Sequence, residues 1–308
     1  MCLNKRFAMG ALLFACLSFI LAGCGDYAGS GGGGVGVSYQ TIGGIASKGP
    51  IEGATVIVWQ LVNGQKGAKL GETRSLPDGS YRLAIPATSG PVLVEVTGNS
   101  TATYLNENNP TGPRVPFIDP NQGFRAAVPD IATARTIAVT PLTEAAVQIA
   151  TNPAGSITGI KSANAQLSNL LGVDIVATLP NNIAVNQISD INNGQDKYGA
   201  YLAGIQKQIT AVNTVEKIIS DIVTPIVANQ PLGDAGTNFL SAVNAVISDP
   251  SINPTGMTIL PDSITIQGAI NIPIPVPDAD TVLPAAPTGL SAALDSDKTV
   301  RLAWSAST

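Results

Sequence analysis

Few side chains in this sequence are suited to chemistry, and the thiol of Cys24 stands out among them. The chain has no histidine, which excludes Ser-His-Asp and Cys-His catalysis and most zinc sites. Charged residues make up only 12% of the chain, so carboxylate pairs are also scarce. The sequence therefore predicts no catalytic residue, metal site or cofactor, and it directs attention to Cys24 and the segment before it.

The segment before Cys24 has the layout of a cleaved export signal. Lys5 and Arg6 form a basic start, and the stretch 7–21 is largely apolar but short for a permanent membrane span. The run Leu21-Ala22-Gly23-Cys24 resembles the lipobox of bacterial lipoproteins. That resemblance implies a diacylglycerol thioether on the Cys24 sulfur and cleavage before it, so that residues 1–23 are a signal peptide. The alternative is a plain secretory signal that happens to contain a cysteine.

Lipidation would make the membrane the first partner of this chain, through Cys24. Several acyl chains give stable attachment, whereas one chain anchors only marginally. Gly25 follows the cysteine in place of an aspartate, and by resemblance to the lipoprotein sorting rule this implies the outer membrane. Whether the protein occupies the cell surface or the periplasmic face stays open.

The composition restricts the partners of the mature chain. Removal of Lys5 and Arg6 with the signal lowers the formal net charge from -5 to -7, which disfavours nucleic acid and anionic lipid. Cys2 and Cys16 leave with the signal, so no disulfide can form and the fold depends on its apolar core. A chain of 308 residues has material for two or three domains.

A glycine-rich tether and a β-rich region follow the anchor. Residues 24–38 are glycine and small polar residues, which behave as a flexible linker. From 39 to 139 the apolar period is two, which predicts an antiparallel β-sandwich. The strands are expected over Thr55–Trp59, Tyr81–Ile85, Val92–Val96, Phe124–Val128 and Thr136–Val139.

The β-rich region carries a family resemblance. Gly43-Gly44-Ile45, Gly49-Pro50-Ile51-Glu52-Gly53-Ala54-Thr55-Val56 and Asp78-Gly79-Ser80-Tyr81 together resemble the carboxypeptidase regulatory-like domain. That family has a transthyretin-like sandwich and is grouped with carbohydrate-binding-like folds. The resemblance implies a spacer or binding module without peptidase activity.

From residue 140 to 250 the apolar period becomes helical, which predicts a small all-α bundle. Thr140 is an N-cap residue, Pro141 is suited to the first helical position and Gly172 is suited to a C-cap. We expect a first helix from about Pro141 to Thr151 and a second from near Ser162 to Leu171. A third has Tyr198, Leu202, Ile205, Ile209 and Val212 on one face. A fourth starts at a capping box of Asn213 and Glu216 and reaches Ile226, and a last one carries Leu240, Val243 and Ile247 and stops at Asp249-Pro250.

The last part of the chain consists of a stretch that alternates proline with apolar residues and of a final segment of different composition. Residues 251–283 read as a Pro-rich linker, with one strand over Ser263–Ile266. The segment 284–308, with Pro287-Thr288-Gly289-Leu290 and Trp304, resembles the opening of a fibronectin type III domain. Such a sandwich needs about a hundred residues, so we expect a partial domain and a chain truncated at Thr308.

Several residues are of types that can bind ligands, and for each of them a structural role is the alternative. The stretch from Asp190 to Asp196 fails the geometry of a calcium loop and predicts a turn. Lys48 suggests an isopeptide crosslink, but its Lys-Gly-Pro turn predicts a solvated lysine instead. Trp59 and Tyr81 are suited to stacking on a sugar, but their apolar strands predict core positions. Tyr198 and Tyr201 are predicted to be core and rim of one helix.

The sequence thus predicts a multidomain α+β protein: a β-sandwich, a helical bundle and the first strands of an incomplete sandwich. Its predicted function is that of a non-catalytic, lipid-anchored extracytoplasmic surface protein that binds or presents a glycan or protein. Two alternatives stay open. One is the N-terminal part of an exported hydrolase whose catalytic domain lies downstream, and the other is a purely structural stalk.

Overall fold

The computed structural model describes residues 38–109, 111–119, 123–151, 157–183, 185–190, 193–253, 263–274, 288–294 and 300–305. Within these ranges the first strands are β1 Tyr39–Ala46, β2 Ile51–Glu52, β3 Thr55–Val62, β4 Gln65–Arg74, β5 Ser80–Pro86, β6 Val92–Thr97, β7 Thr103–Tyr104, β8 Val115–Pro116, β9 Gly123–Val128 and β10 Thr136–Val139. The helices are α1 Pro141–Ala150, α2 Ile157–Leu171, α3 Gly194–Gln208, α4 Val215–Val227, α5 Gly233–Ile247 and α6 Ser263–Ala269, and the last strands are β11 Thr288–Leu294 and β12 Val300–Ser305. The fold is therefore mixed α+β.

The four-stranded sheet has the order β4-β3-β6-β9, and all its neighbours are antiparallel. Val56 and Val58 on β3 are buried, as are Val94 and Val96 on β6, while the residues between them are more exposed. This alternation is the period of two that predicted the strands, because successive side chains of a strand point to opposite faces. The strands expected over these segments and over Phe124–Val128 are confirmed.

The second large sheet has the order β10-β1-β5 and contributes to the same apolar core. Strand β1 is antiparallel to β5 but parallel to β10, with Ile45 opposite Ala138. The expectation of purely antiparallel pairing is therefore wrong at this pair. Strand β10 is far from β1 along the chain and follows β9, which belongs to the four-stranded sheet, so no hairpin forces β10 to run antiparallel to β1.

Two smaller sheets complete the strands that the structure describes. Strands β2, β7 and β8 form an antiparallel sheet of two-residue segments beside the large sheets. Strands β11 and β12 form an antiparallel pair, with Leu294 opposite Val300. Within the segment 284–308 the described residues form this one strand pair, and the other residues lie outside the described ranges.

Helix α1 begins as its capping residues predict. The Thr140 side chain accepts hydrogen bonds from the backbone N–H groups of Leu142 and Thr143, and Pro141 occupies the first turn. Helix α2 ends at Leu171, and Gly172 follows with a φ of +60°, as expected for a C-terminal glycine. The helix begins at Ile157, five residues before the predicted start.

The boundary between α3 and α4 differs from the prediction. Helix α3 ends at Gln208, and Val212 is 85% exposed in the connection that follows. The Thr210 hydroxyl accepts hydrogen bonds from the backbone N–H groups of Val212 and Asn213, and such a local turn competes with helix. The N-cap of α4 is Thr214, which accepts from the backbone N–H of Lys217, and not Asn213.

The strand expected over Ser263–Ile266 is also wrong, because this segment belongs to helix α6. Ile266 is fully buried, and the backbone N–H of Leu232 donates to the Ala269 carbonyl at 2.7 Å. These contacts with α5 outweigh the β-propensity of the local sequence, which is a weak guide for a short segment.

Candidate functional site

A cavity of about 690 Å³, broadly open to solvent, lies between α2 and the connection from β9 to β10. Ligand pockets in proteins have volumes of about 300–1,000 Å³, with an apolar lining and a few polar groups. The polar lining consists of Lys161, Asn164, Ser168 and Asn169 on α2 and Asp174 just after it, and the apolar lining includes Val128, Ala134, Val173 and Val176. We call this space the α2 cavity.

The amphipathic pattern of α2 turns its polar side chains toward the α2 cavity. Ile160, Ala163, Leu167 and Leu171 are buried in the core. Residues three and four apart lie on one helix face, so Lys161, Asn164 and Ser168 share the face that is left for the cavity. The sequence predicted a helix from near Ser162 to Leu171, but it gave no signal that the polar side chains of this helix would border a cavity.

Hydrogen bonds hold the walls of the α2 cavity in place. The Asn164 side-chain amide donates to the Ala127 carbonyl of β9 at 3.0 Å, which ties α2 to the sheet. The Asp174 carboxylate accepts from the backbone N–H groups of Val176 and Ala177, both at 2.9 Å. The Ser168 hydroxyl accepts from the backbone N–H of Ile175 at 3.2 Å. These bonds fix the turn after α2 and therefore the shape of the cavity.

Two polar side chains of the α2 cavity make no polar contact with the described part of the fold, and we call them uncommitted. Lys161 and Asn169 are exposed, and neither has a hydrogen-bonding or ion-pair partner among the residues that the structure describes. Side chains that pair with nothing within the fold are available to a ligand without breaking an existing contact.

A second groove, of about 460 Å³, lies between the β3–β4 hairpin, β9 and α1, but its charges are already paired. Arg125 donates through Nη2 and Nε to the two oxygens of Glu144, at 2.6 and 2.9 Å. Lys66 donates to both oxygens of Glu95, at 2.5 and 2.7 Å. The Glu144 carboxylate raises the pKa of the Arg125 guanidinium. We interpret these pairs as structural, since they join strands to each other and to α1.

The two aromatic residues considered for sugar stacking differ in their burial. Tyr81 is buried and its hydroxyl donates to the Ile137 carbonyl at 2.7 Å, so the predicted core position is confirmed. Trp59 is only partly buried, so its predicted core position is only partly met. Its indole N–H donates to Glu95 at 3.0 Å and the Lys66 amine lies 5.4 Å from its ring centroid.

The prediction that Lys48 is solvated is wrong. Its residue is 8% exposed, and its amine lies 4.1 Å from the ring centroid of Tyr104. Burial lowers the pKa of Lys48 to about 8, opposed by the negative charges of Glu216 and Glu107. Glu107 is 1% exposed, and burial raises its pKa to about 8, opposed by the charge of Lys48. We call Lys48, Tyr104, Glu107 and Gln206 the buried polar cluster.

Sequence reasoning missed this cluster because its burial is caused by distant parts of the chain. Gly49 packs so closely on the backbone that an added Cβ would lie 1.9 Å from the Leu105 carbonyl oxygen, which draws the turn inward. Gln206 comes from α3, more than 150 residues after Lys48 along the chain. Within the described residues, Glu107 Oε2 and Gln206 Oε1 are buried without a hydrogen-bond partner.

Tyr198 and Tyr201 are both core residues, so the predicted rim position of Tyr201 is wrong. Each has a relative exposure of 0%. The Tyr198 hydroxyl contacts Thr140 Oγ1 at 2.7 Å and donates to the Ile175 carbonyl at 2.9 Å, and Tyr201 donates to the Leu171 carbonyl at 3.0 Å. Both tyrosines thus fasten α3 to the end of α2, behind the wall of the α2 cavity.

The stretch from Asp190 to Asp196 forms the predicted turn before α3. The Asp196 carboxylate accepts hydrogen bonds from Asn181, from Ser189 and from the backbone N–H of Asp190. These bonds hold the pKa of Asp196 below its usual value, although burial opposes the shift. Asn193 caps the helix by accepting from the backbone N–H of Gln195.

Cys24, the predicted lipidation site, lies outside the described residues, as do the signal segment and nearly all of the tether. No cluster of three or more potential metal ligands occurs within the described ranges. Among the helices that the structure describes, none combines the length and apolar character needed to cross a bilayer. Comparison with protein-family models, with curated proteins and with solved structures finds no match to this chain.

Proposed function

We propose that this chain is a non-catalytic, lipid-anchored extracytoplasmic protein that binds or presents a ligand. The observation that carries the proposal is the apolar stretch 7–21 ending in Leu21-Ala22-Gly23-Cys24. Acylation of Cys24 would hold the protein at the outer membrane, and the glycine-rich residues 25–38 would act as a tether.

The modular part of the proposal assigns residues 39–139 to a sandwich similar to the carboxypeptidase regulatory-like domain. Residues 140–250 are assigned to a helical bundle and 284–308 to the start of a fibronectin type III domain. The order of the elements supports this division, since the strands β1 to β10 lie within residues 39–139 and the helices α1 to α5 within 140–250. One apolar core runs through both parts. Such modules position a binding surface away from the membrane.

The binding part of the proposal is supported by the α2 cavity. Its uncommitted side chains, Lys161 and Asn169, are suited to hydrogen bonding with a ligand. The described residues of the lining include no histidine or cysteine, and the one carboxylate among them, on Asp174, accepts hydrogen bonds from backbone N–H groups. This chemistry favours recognition over reaction.

Metabolic labelling with radioactive palmitate in a bacterial host with lipoprotein processing tests the anchor. The natural chain should incorporate label and fractionate with membranes, and a Cys24→Ala variant should lose both properties. Cys16→Ala is the matched control, because Cys16 would be removed with the signal and its loss should leave the label in place. Label that persists in Cys24→Ala, or no label in the natural chain, would contradict the proposal.

A further inference from the structure

We propose that the α2 cavity binds a neutral, polyhydroxylated ligand, a short saccharide segment, between α2 and the β9–β10 connection. This inference rests on the proposed binding function and names the class of ligand. It depends on the polar groups of the cavity, on its apolar lining, on its charge balance and on the occupied backbone groups beside it.

The polar groups of the α2 cavity match the requirements of sugar hydroxyls. A hydroxyl group both donates and accepts hydrogen bonds, so it needs donors and acceptors close together. Lys161 supplies only donors, whereas the free amide of Asn169 supplies both kinds. The Ser168 oxygen accepts from the Ile175 N–H, which leaves the hydroxyl hydrogen of Ser168 available to donate.

The apolar lining of the cavity suits the carbon face of a sugar ring. Val128, Ala134 and Val176 border the same space as Lys161 and Asn169. A saccharide ring exposes C–H groups on its faces and hydroxyls at its edge, so it can contact aliphatic side chains and polar groups at once. The volume of about 690 Å³ lies within the range for bound small molecules.

The charges of the cavity favour a neutral ligand over an anion. Lys161 and Asp174 border the same cavity with opposite charges. The full chain has a formal net charge of -5, and this field repels anions from its surface. An acidic ligand would therefore gain little from Lys161 and would be disfavoured by Asp174.

Backbone groups beside the cavity are already hydrogen-bonded, which disfavours an extended peptide. Peptides often bind by adding a strand to a free sheet edge. On β9, at the edge of the four-stranded sheet, the Ala127 carbonyl accepts from Asn164 at 3.0 Å. On β10, at the edge of the three-stranded sheet, the Ala138 N–H donates to the Val176 carbonyl at 2.8 Å. These backbone groups are not available to a new strand.

Isothermal titration of the full chain, purified in a detergent without sugar groups, provides the test. The probes are maltotriose, cellotriose, mannotriose and chitotriose. We expect saturable binding of at least one of them. Lys161→Ala and Asn169→Ala should each raise the Kd about fivefold, since each removes hydrogen bonds to the ligand. Ala165→Trp should abolish binding by filling the cavity, which Ala165 lines.

Two variants on other helices serve as matched controls, namely Lys207→Ala on α3 and Asn238→Ala on α5. Both residues are exposed, and neither lines the α2 cavity, so the Kd should not change. Circular dichroism of every variant checks that its fold is retained.

Three results would overturn the inference. They are the absence of saturable binding to all four neutral probes, a Kd that is unchanged by the three cavity variants, and tighter binding of trigalacturonate or of an extended peptide. Repeating the titration with Cys24→Ala separates this inference from the anchor, because saccharide binding in the cavity does not depend on acylation.

Discussion

Glu144 and Glu107 both have buried carboxyl groups, but the two groups differ in their hydrogen-bond partners. Glu144 on α1 receives two hydrogen bonds from the Arg125 guanidinium and one from the Arg125 backbone N–H. Glu107 is 1% exposed, and its Oε2 has no partner among the described residues. Burial raises the pKa of Glu107 to about 8.

The difference lies in the hydrogen-bond donors that each buried carboxyl group has. Burial costs a carboxylate its hydration, and only nearby charges and hydrogen bonds offset that cost. Arg125 supplies both to Glu144. Lys48 supplies only its charge to Glu107, and burial lowers the pKa of Lys48 itself to about 8. The buried polar cluster therefore contains two groups whose pKa values lie close to neutral pH.

Replacement of Arg125 should give the largest change in the free energy of unfolding. Arg125→Ala leaves the Glu144 carboxylate buried without its main partner, and we expect the free energy of unfolding to fall by about 3 kcal/mol. Urea denaturation measures this change. The double variant Arg125→Leu, Glu144→Leu removes both charges and should recover most of the loss. A single variant as stable as the natural chain would show that the pair is not needed.

The pH dependence of stability should be the next largest effect. The pKa of Glu107 is higher in the folded chain than its ordinary value of 4.5, so the folded state holds this proton more tightly. Its contribution to stability is present below about pH 4.5 and is lost as the pH rises through about 8. We expect a decrease of about 2 kcal/mol between pH 5 and pH 7, measured by urea denaturation.

Lys48 should give the opposite trend at higher pH. Its pKa is lower in the folded chain than its ordinary value of 10.5, so its contribution rises with pH between about 8 and 10.5. Glu107→Gln should remove the decrease in the free energy of unfolding between pH 5 and pH 7. Glu216→Gln should keep that decrease, because Glu216 is exposed and acts only on Lys48 through its charge. A natural profile that rises between pH 5 and pH 7, or one that Glu107→Gln leaves unchanged, would contradict this account.

Loss of an exposed ion pair should give the smallest change in the free energy of unfolding. Lys217 and Asp221 form a pair on α4, with side chains 54% and 44% exposed. Water already solvates both groups, so Lys217→Ala should change the free energy of unfolding by only about 0.5 kcal/mol. Urea denaturation in low and high salt tests this value. A loss as large as that of Arg125→Ala would show that burial is not the deciding factor.

Local sequence patterns predicted several strands and helices of this fold. The alternation in Thr55–Val62 and Val92–Thr97 and the capping residue Thr140 each depend on neighbours within a few residues. Such signals are readable because side-chain period and cap chemistry are properties of short segments. The mixed α+β content follows from them.

The features that depend on distant contacts could not be predicted. The parallel pairing of β1 with β10, the burial of Lys48 and the helical state of Ser263–Ala269 all arise from packing between remote segments. The α2 cavity is of the same kind, since Val128 and Asp174 come from different parts of the chain. Its polar residues are ordinary surface residues when α2 is considered alone.

Mass spectrometry of the mature N-terminus tests the central claim most directly. The account predicts that the protein from a host with lipoprotein processing begins at Cys24, with a diacylglycerol group on its sulfur. A chain that still begins at Met1, or a cleaved chain with an unmodified Cys24, would contradict it.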